Sequence, residues 1–288
     1  MFSLIVATID RTSQLERFLK SMVDQSYSNF EIIIVDQNLD NRLESIITKF
    51  QTQLKILHLH SSTGLSKARN LGLEYFQGDV VAFPDDDCWY SPNLLSLIAK
   101  NILENNSRSG ITGRAGLSNT IKSQWKWDTN EGWVTRKNVW TRAISISVFL
   151  KRDVIFSVGR FDDTLGAGSG TPWGSGEETD FIVRAVDCGH KIWYDPSVYI
   201  FHDDNIHDED ANSTVRALLY GAGMGRVLRK QRYPFLTVTY FILRPMVTSF
   251  YAIIQGKFAR ARHFAYLSKG RAIGWLYNDM NNKKHNCD

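Results

Sequence analysis

Three consecutive carboxylates, Asp85-Asp86-Asp87, follow directly on the apolar run Val80-Val81-Ala82-Phe83. Pro84 ends that run, because proline offers no ladder donor and pushes its predecessor into an extended conformation. The pattern predicts a buried strand that releases three acids at its carboxyl end, where open α/β sheets hold their ligands. Like charges so close repel one another, and a hard divalent cation among them removes that penalty. Alone, the triplet would read as a solvated acidic turn; its neighbours point to chemistry.

Four more patches of reactive residue types sit at the ends of elements. They are Thr8-Ile9-Asp10-Arg11, Asp36, Gly64-Leu65-Ser66-Lys67-Ala68-Arg69-Asn70 and Gly176-Glu177-Glu178-Thr179-Asp180. The first three and the triplet follow strands on one predicted sheet edge, so they are expected to converge. Asp36 can accept hydrogen bonds from a base or ribose. The triplet suits Mg²⁺ or Mn²⁺ on a diphosphate, and the planar fork of Arg69 suits phosphate. His202, after an apolar strand, either completes the metal site or serves as a structural hydrogen-bonding residue. Trp173, beside Gly174 in a glycine-rich loop, offers an aromatic face to an acceptor sugar, and the glycines allow closure.

The elements that position these residues alternate. Leu15, Phe18, Leu19, Met22 and Val23 mark a helical face behind a capping box of Ser13 and Glu16. Residues 30–35 read as a buried strand closing at Asp36. Leu43, Ile46, Ile47 and Phe50 give the next helix, followed by a strand at 54–59, a helix at 66–76 and a strand at 79–83. Helices of this length between strands imply right-handed crossovers and a mostly parallel, Rossmann-like α/β sheet. The middle is less regular. Trp125, Trp127, Trp133 and Trp140 crowd a short span, then come a strand at 143–150, five glycines over 166–176 and a helix from Glu177 to Gly189. Strands at 191–194 and 197–201 lead to His202.

With 288 residues and 43% hydrophobic content, the chain can bury a core in one large domain or one and a half. Cys88, Cys188 and Cys287 are odd in number and far apart, which argues for a reducing compartment rather than a disulfide framework. The opening residues read as a first strand, not a signal peptide. Charge is uneven: residues 211–288 hold 13 Lys and Arg against two acids, net +11, while residues 1–210 carry −7. The expected division is therefore a body at 1–210 and a basic helical region at 211–288. Residues 235–254 hold a single charge, Arg244, next to Pro245. An arginine there costs about 3 kcal/mol on insertion scales, and the proline predicts two half-length helices rather than a span. Lys257, Arg260, Arg262, Lys269 and Arg271 interleave with Phe258, Phe264, Leu267, Ile273 and Trp275. Residues 235–277 are thus expected on an anionic membrane surface, with no nucleic acid partner; a solvated basic face or dimer contact is the plainer alternative. Gly221-x-Gly223-x-Gly225 follows no strand and is not a phosphate loop.

In order and spacing, these motifs resemble the family-2 glycosyltransferases of the GT-A fold. The matching residues are Ser3-Leu4-Ile5-Val6-Ala7-Thr8, Val35-Asp36, Gly64-Leu65-Ser66-x-x-Arg69-Asn70-x-Gly72, Phe83-x-Asp85-x-Asp87 and Gly176-Glu177-Glu178-x-Asp180, over about residues 1–205. The resemblance implies an inverting, metal-dependent transfer from a nucleotide-sugar, with UDP the expected carrier. The implied acceptor is lipid-linked or polysaccharide, at the cytoplasmic face of the cell membrane. It makes Asp36 the base-recognising residue, and Asp85 and Asp87 the DxD motif that holds ribose and metal-diphosphate. Thr8, Asp10, Arg11, Arg69 and Asp86 complete the expected donor site. Glu178 matches the general base, at a helix N-terminus whose dipole is expected to keep it ionised. Glu177 is expected to cap the helix or orient the acceptor, and Asp180 to hold the loop. Two departures stand out: Cys88 replaces a further acid, and Glu177-Glu178 replaces the usual Glu-Asp. A sugar nucleotidylyltransferase would need a glycine-rich loop after the first strand, and Ala7 to Arg11 contains no glycine. An inactive carbohydrate-binding scaffold would have no need to retain these acids.

Overall fold

A computed structural model describes residues 1–116, 127–203 and 211–277. Trp125 and Cys287 lie outside the described residues. The first third alternates as expected: β1 (Phe2–Thr8), α1 (Ser13–Val23), β2 (Phe30–Asp36), α2 (Glu44–Gln51), β3 (Ile56–His60), α3 (Leu65–Gly72) and β4 (Val80–Ala82). These strands pair in parallel in the spatial order β3-β2-β1-β4. Every residue of β2 is buried, as a strand covered on both faces must be. Alternation along the strands divides the core. Leu4, Val6, Ile32 and Ile34 meet α1 and α2 on one face, while Ile5, Ile33 and Val35 meet α3 on the other. The expected capping box does not form: Ser13 Oγ bonds Gln14, and Glu16 turns to Lys49 at 2.7 Å.

The sheet continues with β5 (Cys88–Trp89), α4 (Leu94–Leu103), β6 (Gly110–Gly116), β7 (Gly132–Trp133), α5 (Val139–Arg142), β8 (Phe149–Lys151), α6 (Arg152–Val158), α7 (Glu177–Asp187) and β9 (Ile192–His202). β8 inserts antiparallel between β4 and β6, β9 runs parallel to β6, and β5 and β7 pair antiparallel with β9. Parallel ladders remain the longer ones, giving the expected mostly parallel sheet between helical layers. Two expectations change. Residues 143–150 begin with a 3-10 turn at Ser145–Ser147 before β8. The two strands expected before His202 are one, with a register shift opposite Thr112 and Arg114. Cys88 is free and buried, whereas Cys188 is disulfide-bonded, which departs from the reducing compartment expected from the cysteine spacing.

Three long helices follow: α8 (Ala211–Lys230), α9 (Phe235–Ile254) and α10 (Phe258–Leu276). The glycine run of α8 is a packing seam. A Cβ on Gly221 would sit 2.3 Å from the Leu267 carbonyl, and one on Gly274 would sit 2.0 Å from that of Ala222. The break expected at Pro245 is absent. Proline removes the partner of the Phe241 carbonyl four residues earlier, and Arg271 of α10 donates to that carbonyl instead, at 2.6 Å. α9 is long and apolar enough by length and composition to cross a membrane, with mean hydropathy 1.3, and 22% of its apolar window is buried.

Candidate active site

Register builds the site. Thr8 and Asp36 are paired neighbours at the carboxyl ends of β1 and β2, and Asp36 pairs in turn with His60 at the end of β3. β4 stops at Ala82, so Asp85, Asp86 and Asp87 emerge over the same edge. β5 then returns along β9 with Cys88 opposite His202. That pairing carries His202 to the acids: one donor atom each from Asp85, Asp87 and His202 lie within 4.8 Å of one another.

Arg11 is shared by two of the three acids, Asp86 and Asp87. Asp86 accepts from Thr8 Oγ1 at 2.7 Å and from Arg11 Nη1 at 2.7 Å. Arg11 also contacts Asp87. Burial pushes the Asp85 carboxyl up to about 6 against the pull of Arg69, and burial likewise raises Asp86. For Asp87 burial is the largest influence, yet His202 and Arg11 together hold it below the usual carboxylate range. His202 is raised, because Asp87 and Asp85 outweigh its burial.

These groups fit a divalent cation. Two carboxylates with one imidazole suit Mn²⁺, and the oxygens suit Mg²⁺. Asp87 Oδ1 lies 3.1 Å from His202 Nε2 but receives no aligned hydrogen bond, although it is buried. A bound cation would satisfy that oxygen.

Arg69 is 1% exposed and bridges the two walls: Nη1 to Glu177 Oε1 at 3.1 Å, Nη2 to Asp85 Oδ1 at 3.1 Å. Expected to grip phosphate, it is engaged at both ends by carboxylates and ties α3 to α7. Its motif supports it. Ser66 Oγ donates to the Leu165 carbonyl at 2.7 Å, and Asn70 exchanges two bonds with the Phe161 backbone, at 2.8 and 2.9 Å. Gly72 packs where a Cβ would meet Ile5 at 2.4 Å.

The acid pair opens α7. Glu177 is 4% exposed and committed to Arg69. Glu178 borders a pocket with Arg69, Phe83, Phe161 and Phe181. Burial, and then the charge of Glu177, push its carboxyl up to about 8. The expectation that the dipole keeps it ionised therefore fails. A dipole worth about 0.3–1 kcal/mol loses to desolvation and a like charge one residue away.

Other expectations are also corrected. Asp180 is fully buried and accepts from Arg184 at 3.0 Å, Lys230 at 3.0 Å and Gln231 at 2.7 Å, so it braces α7 against α8. Trp173, 6% exposed, packs with Leu165, Ala222 and Val227 instead of offering a sugar platform. The Gly174 amide donates to Leu219 of α8 at 3.2 Å, so it too belongs to that seam. Asp10 takes a positive φ of 57° and its carboxylate pairs with exposed Arg42 at the rim. Sequence reasoning passed over His58 and His60, whose alternation beside Asp36 could have drawn attention. It also passed over Arg17, which donates to the Asp87 carbonyl at 2.9 Å and pairs with Asp203. No sequence signal marks Arg17, because Asp203 is 186 residues away.

Residues 3–156 match the sequence model of Glycosyl transferase family 2. Glycosyltransferase AglE of Haloferax volcanii is 24% identical over 209 residues, 67% of this chain and 63% of that protein. The UDP-Glc:alpha-D-GlcNAc-diphosphoundecaprenol beta-1,3-glucosyltransferase WfgD of Escherichia coli is 26% identical over 107 residues, 37% of this chain and 42% of that protein. The chain thus spans less than two thirds of the length of these relatives. Among solved structures, mannosyltransferase PcManGT of Pyrobaculum calidifontis, in complex with GDP-Man and Mn²⁺, aligns with a TM-score of 0.66 at 15% identity, over 96% of this chain and 87% of that one. S. aureus TarS 1-349 in complex with UDP-GlcNAc aligns at 0.59 and 15% identity, over 94% and 90%. At such identities the structures establish a shared fold alone. The sequence match covers more than half of the chain, whose motifs stand in order along one sheet edge, and the protein belongs to glycosyltransferase family 2.

Proposed function

We propose that the protein is a cation-dependent, inverting glycosyltransferase of cell-surface glycan synthesis. It moves a sugar from a nucleoside-diphosphate sugar, UDP-linked, to a hydroxyl of a lipid-linked or polysaccharide acceptor. The observation that carries the proposal is the gathering of Asp85, Asp87 and His202 at one sheet edge, joined through Arg69 to the acid pair of α7. Mn²⁺ or Mg²⁺, held by Asp85, Asp87 and His202, would supply positive charge to the diphosphate. Asp36 accepts N–H groups of the base, and Thr8 and Arg11 hold Asp86 in place beneath the donor. Arg69 fixes Glu177 and so aims the first turn of α7. Glu178 takes the proton of the acceptor hydroxyl as that oxygen bonds the anomeric carbon. The bond to the diphosphate oxygen breaks on the opposite side, and its electron pair leaves with the diphosphate. The donors bound by TarS and PcManGT, and the donor named for WfgD, support a nucleotide-sugar donor.

Residues 211–288 form the membrane-associating part of this proposal, and residues 1–210 the catalytic body. On α9, Leu236, Val247 and Phe250 are exposed, and Arg260 and Arg262 follow on α10. Exposed apolar side chains beside cations suit the anionic cytoplasmic face of a membrane, where a lipid-linked acceptor would reside. Titration calorimetry with UDP tests the core of the proposal. Binding should require Mn²⁺ or Mg²⁺ and disappear in Asp87→Ala; UDP affinity in Mn²⁺ that survives Asp87→Ala would contradict it. Nucleoside diphosphate release across a panel of nucleotide sugars then identifies the donor.

A further inference from the structure

We infer that Asp36, His58 and His60 form a second metal site, suited to a borderline transition ion such as Zn²⁺, at the carboxyl ends of β2 and β3. Asp36 and His60 are register partners on adjacent strands, and His58, two residues earlier, shares the His60 face. One donor atom from each lies within 4.8 Å of the others. His58 Nε2 is 3.1 Å from Asp36 Oδ2, and His60 Nδ1 is 4.0 Å from the same oxygen. Ligands on a tetrahedral zinc with bonds of about 2.0–2.1 Å stand roughly 3.3 Å apart, so both histidine distances to Asp36 Oδ2 lie within about 1 Å of that spacing.

The carboxylate is already aimed. Asp36 Oδ1 accepts the backbone N–H of Asn38 at 2.8 Å and its side-chain amide at 2.7 Å, which leaves Oδ2 to the histidines. Such outer hydrogen bonds orient ligands at metal centres. The two imidazole rings lie 4.6 Å apart between centroids. The His60 side chain is 60% exposed while Asp36 is 1% exposed, so an ion would be anchored inward with an open position toward solvent. Two imidazoles and one carboxylate favour Zn²⁺, whereas the oxygen-richer cluster at Asp85 and Asp87 favours Mn²⁺ or Mg²⁺. A consequence rests on the proposed role of Asp36 in base recognition: an ion on Oδ2 competes with the nucleotide.

The test is zinc binding to the full chain by equilibrium dialysis, with His202→Ala removing the imidazole of the other cluster. The His202→Ala protein should bind one Zn²⁺, and adding His60→Ala should weaken that binding by about tenfold or more. Tetrahedral Co²⁺ absorption bands should appear in wild type and be lost in His60→Ala. Zinc binding that is absent, or indifferent to His60→Ala, overturns the site. With free Zn²⁺ buffered, the apparent Kd for UDP should rise in wild type and stay constant in His60→Ala. Zinc that binds through His60 but leaves the UDP affinity unmoved overturns the competition and the base-recognising role of Asp36, while the metal site stands.

Discussion

The carboxyl of Glu178 tests the proposed base directly, because its surroundings set a pH at which it must work. With a pKa of about 8, roughly 1% is ionised at pH 6, about a tenth at pH 7 and half at pH 8. The value of kcat/KM, which reports the free enzyme, should therefore rise about fifty-fold from pH 6 to pH 8 and level off above about pH 9. The assay is nucleoside diphosphate release under saturating divalent cation. Saturation matters because Asp85, pushed up to about 6 by burial, would otherwise add its own limb at lower pH. Glu178→Gln keeps the shape and removes the base, so turnover should fall by about 10²–10⁴-fold with donor affinity intact.

The same shift has a signature without substrate. A carboxyl whose pKa is about 8 in the folded protein, against an ordinary 4.5, holds its proton more tightly when folded than unfolded. Its contribution is therefore fully favourable below its ordinary pKa and is lost as pH climbs toward its folded one. Glu178→Gln abolishes that loss, so its Tm should exceed that of wild type at pH 8, and the gap should close by pH 5. A rate profile flat from pH 6 to 9 would refute the reasoning, as would a Glu178→Gln protein less stable than wild type at pH 8. Activity kept in Glu178→Gln but lost in Glu177→Gln would move the base to the other acid.

Asp180→Ala leaves Arg184 without its carboxylate and Lys230 with Asp162 alone, and should cost about 3–5 kcal/mol in denaturant unfolding, with activity following the folded fraction. Full stability with no activity would restore Asp180 to the catalytic set. Gly274→Val forces apart α8 and α10, where a Cβ would stand 2.0 Å from the Ala222 carbonyl, and should expose the C-terminal helices to limited proteolysis. Unchanged cleavage would contradict the seam. Binding to anionic vesicles should weaken as salt rises, since exposed charges are screened beyond about 8 Å at physiological ionic strength. Equal binding to neutral vesicles would refute the electrostatic part, and release only by detergent would favour a true span of α9.

What was legible in the sequence follows from the range of the forces involved. β1, β2 and α1 declare themselves because their burial repeats along the chain, as full apolar runs or a 3.6-residue face. β5 and β7 are two residues long and exist only through pairing with distant β9, so no local pattern announces them; the strand expected at 143–150 is cut to the three-residue β8, because only that end pairs with β4 and β6. His202 was ambiguous for the same reason: its place beside Asp87 depends on its pairing with Cys88. Pro245 was misjudged because the donor that rescues the Phe241 carbonyl comes from Arg271 on another helix.

Within the motifs, residues that meet substrate and residues that hold them carry the same chemical types. Asp180 and Glu178 both open α7 as acids, yet Lys230 and Gln231 from α8 claim the first, and only the second borders the pocket beside Arg69. Trp173 carried an aromatic face suited to sugar until Ala222 and Val227 covered it. Glu178 shows the limit most sharply, since its local argument was sound as far as it went. The dipole of α7 does favour the anion, but its effect is tenths of a kcal/mol to about one, while burial and the charge of Glu177 act at closer range in a less polar place. A local rule thus put forward Glu178 as the base and missed the sign of its shift. That sign decides whether the base is a permanent anion or a group that must lose its proton near the pH of work, and a single pH profile distinguishes the two.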